Sequence, residues 1–68
     1  MADQKASAEK ILREYIAAKR NGATAAKLSY MNGEFQDRYS LRVSPKGTDG
    51  YWRVSDTTGR EVFKAKEG

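Results

Sequence analysis

From Phe35 to Ser44 the chain alternates. Phe35, Asp37, Tyr39, Leu41 and Val43 take the odd positions, and Gln36, Arg38, Ser40, Arg42 and Ser44 take the even ones. A period of two predicts a strand with one buried face and one wet face. Upstream the period changes. Ala8, Ile11, Leu12, Tyr15, Ile16 and Lys19 recur at helical spacing, which predicts one amphipathic helix over about residues 8–20. Ser7 is placed to cap its start, and Asn21-Gly22 to stop it in a left-handed turn. Residues 1–6 are polar and read as a flexible N-terminus; 7–68 read as a single domain.

Lys27-Leu28-Ser29-Tyr30-Met31 also alternates, and Asn32-Gly33 follows. Asn-Gly between alternating segments predicts a two-residue hairpin turn, which would set Tyr30 opposite Phe35. That register gathers Leu28, Tyr30, Phe35, Tyr39, Leu41 and Val43 on one face, with Asp37 the discordant member. Pro45 to Gly50 is a loop by composition, Tyr51 to Ser55 a strand, Asp56 to Gly59 a turn, and Arg60 to Lys66 a last strand. A three-residue loop ending in Gly59 would set Val54 opposite Val62; a four-residue loop would set Trp52 opposite Phe63. The three-residue form fits the glycine position better. The prediction is an α+β domain: one N-terminal helix packed on one face of a three- or four-stranded antiparallel meander. Its core would contain Ile11, Leu12, Tyr15, Ile16, Leu28, Tyr30, Phe35, Tyr39, Leu41, Val43, Trp52 and Val54.

Composition narrows the chemistry. The 68 residues contain no cysteine and no histidine. Disulfides are therefore excluded, as are the common zinc ligand sets and nucleophilic triads that need His or Cys. Most acids fall at turns or on the helix exterior, with Asp37 the one candidate for burial, and Lys46-Gly47-Thr48 lacks the glycines and flanking helix of a phosphate-binding loop. A non-enzyme without cofactor or metal is expected. No apolar run approaches a membrane span, and no signal-peptide core precedes the helix, so a cytoplasmic protein is the expectation.

The net charge is +4 and the pI about 9.6, which favours acidic partners. The alternation puts Arg38, Arg42, Tyr51 and Arg53 on the wet sheet face, with Lys64 or Phe63 beside them according to the last register. Arginine binds phosphate bidentately and tyrosine stacks on bases, so Arg38, Arg42, Tyr51, Arg53 and Lys64 form a candidate nucleic-acid surface. The alternative is a protein-binding module, an inhibitor, adaptor or homodimer, that docks an acidic partner through the same face or an edge strand. The plainer explanation for such arginines is a solvated sheet protected against edge pairing.

Overall fold

The computed structural model describes residues 4–44 and 47–66. Their order is α1 (Gln4–Arg20), α2 (Ala25–Tyr39), β1 (Leu41–Ser44), β2 (Tyr51–Asp56) and β3 (Glu61–Lys66). The strands form an antiparallel sheet in the order β1-β2-β3. The molecule is α+β, with two helices where the sequence pattern predicts one.

The first helix begins earlier than Ser7, which lies inside it. Of the expected flexible N-terminus, Gln4–Ala6 are helical and residues 1–3 lie outside the described residues. Ala8, Ile11, Leu12 and Tyr15 form its buried stripe. Its end is a Schellman motif: Ala23 N–H donates to Ala18 C=O, Gly22 N–H donates to Lys19 C=O, and Gly22 takes φ +87°.

Residues 25–39 correct the predicted hairpin. They are one helix, and the fourth strand expected over 27–31 is part of it. Thr24 caps the start, its Oγ1 accepting from Lys27 N–H at 3.2 Å. Leu28, Met31, Asn32, Phe35 and Tyr39 recur at helical spacing and face the core side, with Asn32 and Phe35 buried. This second period coexists with the alternation of residues 35–43, and packing against α1 and β1 selects the helical one. Gly33 then lies mid-helix, with open space where a side chain would be. Tyr30, expected in the core, is instead 69% exposed. Asp37 is exposed on the helix rather than buried in a strand. The helix ends at Ser40, whose φ of +58° is left-handed and whose N–H donates to Gln36 C=O at 3.0 Å.

Only from Leu41 does the alternation become a strand. Leu41, Val43, Trp52 and Val54 are buried together with Ala8, Ile11, Leu12, Tyr15 and Phe35. Tyr15 and Trp52 meet edge to face, 5.7 Å between ring centres.

The turn from β2 to β3 has the expected three-residue form. Asp56 N–H donates to Arg60 C=O, and Gly59 takes φ +91°. A bulge between Val54 and Ser55 then shifts the ladder by one residue, so that Val54 pairs with Phe63 and Trp52 with Ala65. Neither predicted pairing forms. The shift turns Phe63 and Ala65 to the core side and Lys64 and Lys66 to the other.

The outer edge of β1 is closed by a side chain. Asn32 Nδ2 donates to Val43 C=O at 3.0 Å, and Val43 N–H donates to Asn32 Oδ1 at 2.8 Å. The amide thus replaces one residue of a neighbouring strand. No helix among the described residues is long and apolar enough to cross a membrane.

Candidate nucleic-acid interface

Alternation through the three strands defines the sheet face opposite the core. It carries Arg42 and Ser44 on β1, Tyr51, Arg53 and Ser55 on β2, and Glu61, Lys64 and Lys66 on β3. Cross-strand pairing sets Arg53 between Ser44 and Lys64, and Tyr51 beside Lys66.

Arg53 lies at the centre of this face and is fully engaged. Its Nη2 donates to Asp49 Oδ2 at 2.6 Å and its Nε to Glu61 Oε1 at 3.1 Å. The clamp ties the β1–β2 loop to β2 and β3. Asp49 also accepts from Tyr51 N–H at 3.1 Å. The Arg53 hydrogen bond, then the Tyr51 N–H, lower the Asp49 carboxyl from its ordinary 3.8 to about 2. The same partnership raises the Arg53 pKa. Gly47 completes the clamp: a Cβ there would meet Arg53 Nη1 and Asp49 Oδ1 at 3.2 Å.

The remaining cations differ. Arg42, Lys64 and Lys66 make no ion pair with an acid among the described residues. Lys64 Nζ lies 5.0 Å from the centre of the Tyr51 ring, a cation–π contact. Among the described residues, the two acids that reach this face, Asp49 and Glu61, are held by one arginine. Four cations, Arg42, Arg53, Lys64 and Lys66, against these two acids leave the described part of the face net positive.

Of the five sequence-predicted residues, Arg42, Tyr51, Arg53 and Lys64 share this face. Arg38 does not. It belongs to the last turn of α2 and pairs with Glu34 at 3.8 Å, on a groove between α1 and α2. The alternation misplaced it because residues 35–39 are helical. Lys66 was missed, since its side depends on the bulge between Val54 and Ser55. Asn32 was also missed; only its helical spacing with Leu28 and Phe35 signals that it faces inward.

Beside the face, an open groove of about 760 Å³ runs between α2 and β1. Ser29 and Gln36 line it from the helix, Arg42 and Ser44 from the strand, and Asp56 and Thr57 from the turn. Asp56 holds the turn through one oxygen: its Oδ1 accepts from Thr58 Oγ1 at 2.6 Å, Thr58 N–H at 2.9 Å and Arg60 N–H at 3.0 Å. The Thr58 hydroxyl leads the causes that lower its pKa. No three metal-ligating side chains come together among the described residues. No protein-family model matches the chain, nor does any curated protein or solved structure.

Proposed function

We propose that this is a small non-enzymatic protein that binds nucleic acid on its open sheet face. One observation carries the reading. Among the described residues, Arg42, Lys64 and Lys66 share the face with Tyr51 and pair with no acid, while Asp49 and Glu61 are held by Arg53. Phosphates would meet the unpaired cations, and a base would stack on the tyrosine. Arg53 changes role relative to the sequence expectation: it organises the face rather than contacting phosphate. A cytoplasmic location goes with this reading.

The test is a titration of labelled single-stranded and duplex oligonucleotides at two salt concentrations. Arg42→Ala and Lys64→Ala should each weaken binding and reduce the salt slope on duplex by about 1. Tyr51→Ala should cost ~1–3 kcal/mol on single strands. Absence of binding to both forms at low salt would end this reading.

The second reading is an acidic protein partner, or a second copy, on the same face. Tyr51 beside arginine has the composition of an interface hot spot. It predicts weak salt dependence and no oligonucleotide binding, and light scattering separates the homodimer from the heteromeric version.

A further inference from the structure

The groove between α2 and β1 is continuous with the open face, because Arg42 and Ser44 belong to both. Its chemistry is distinctive. Asp56 Oδ1 is taken by Thr58 and Arg60, and the Asn32 amide by Val43. What faces an incoming ligand is the Ser29 and Ser44 hydroxyls, the Gln36 amide and the unpaired Arg42 guanidinium. These are neutral hydrogen-bonding groups with one cation; the acid of the lining, Asp56, is held at the turn through its Oδ1 by Thr58 and Arg60 and keeps its charge. Such a set suits a phosphodiester chain, whose oxygens accept from hydroxyl, amide and guanidinium alike.

The groove also has a direction. Arg42 pairs with Ser55, four residues along β2 from Tyr51. One strand spacing and four residue rises put their backbones about 14 Å apart. An extended single strand can follow the groove past Arg42 and still reach the Tyr51 ring. A duplex cannot do both, since its bases are stacked inside and its backbone is stiff. Resting on the sheet-face reading, we infer that the α2–β1 groove carries the sugar–phosphate chain of single-stranded nucleic acid, with Arg42 taking a phosphate at the junction and Tyr51 stacking a base.

Two variants test the groove apart from the face. Ser29→Glu and Gln36→Glu each set an anion on an exposed helix position that lines it. Each should weaken binding of an oligothymidylate by roughly tenfold, as a like charge beside a phosphate requires. Binding of duplex should stay as in wild type, while Lys64→Ala weakens both. In the unmodified protein, oligothymidylate should shift the amide resonances of Ser29, Gln36, Arg42 and Ser44 together with Tyr51, whatever the fate of the variants.

Single-strand binding unaffected by either glutamate, with no shifts at Ser29 and Gln36, would overturn the groove and leave the sheet face standing. Thymidine monophosphate binding the groove as tightly as the oligomer would also overturn it, since the ligand would then be a nucleotide and not a strand. Wild-type protein that binds neither form would overturn the sheet-face reading and this inference with it.

Discussion

Asn32 is the one buried polar residue among those described, at 9% exposure, and both its amide groups are committed to the Val43 backbone. A side chain that satisfies a donor and an acceptor at once leaves two orphans when removed. Asn32→Ala should cost about 2–4 kcal/mol in a denaturant titration, because each buried unpaired group carries its own desolvation penalty. Asn32→Asp should be poorly tolerated as well, since a carboxylate would face the Val43 carbonyl. The neighbouring residue behaves oppositely. Gly33 needs no special backbone, and a Cβ there meets nothing within 4 Å. Gly33→Ala should stabilise by about 0.5–1 kcal/mol, the ordinary gain in a helix interior. In the hairpin that Asn-Gly predicts, the same change would force alanine into positive φ and destabilise. The sign of one thermal shift thus separates the two structures.

Elements are joined across the open face by the Asp49–Arg53–Glu61 clamp. It titrates in a definite direction. Asp49 has a lowered carboxyl pKa, so the stability it contributes is fully present above pH 4 and is lost as pH falls toward about 2. Arg53→Ala should return the Asp49 titration, followed by carbonyl NMR, toward its ordinary 3.8. An unchanged low value would assign the shift to the Tyr51 N–H instead. The two helices show how an element's type is settled. α1 has one period, a regular stripe and a glycine stop, and its identity was legible. α2 carries two periods at once, and Asn32-Gly33 spoke for the wrong one. Only Thr24, three residues before Lys27, and the spacing of Leu28, Asn32, Phe35 and Tyr39 argue for helix locally.

At the scale of the whole molecule, a chain this short depends on few residues. Leu41 is fully buried at the junction of α2 and the sheet. Leu41→Ala should cost ~2–5 kcal/mol, enough to leave most of a small domain unfolded, with loss of the cooperative thermal transition as the readout. The surface divides by charge balance. Arg13 pairs with Glu9, and Arg38 with Glu34, along the helices. The sheet face keeps its surplus because β3 presents Lys64 and Lys66 beside Arg42's strand partners. Arg42, Tyr51 and Arg53 were legible because β1 and β2 alternate as their sequence says, while the side taken by Lys64 waited on the bulge. Arg38 was not, since its face depends on where the helix ends.

The sequence by itself determined α1 and its buried stripe, the strands β2 and β3, the three-residue turn between them, and the placing of Arg42 and Arg53 on the face away from the core. Each rests on contacts within a few residues: a helical repeat, a two-residue repeat, or an Asp and a Gly fixing a turn. Tertiary structure decided the state of residues 25–39, the bulge that sets Phe63 inward and Lys64 outward, and the engagement of Arg53. Those outcomes depend on partners in other elements. Asn32 needs the Val43 backbone to make its burial favourable, and Phe63 needs the core beneath Val54. Arg53 needs Asp49 from the β1–β2 loop and Glu61 from β3. Local preference at these positions was balanced, and packing broke the balance.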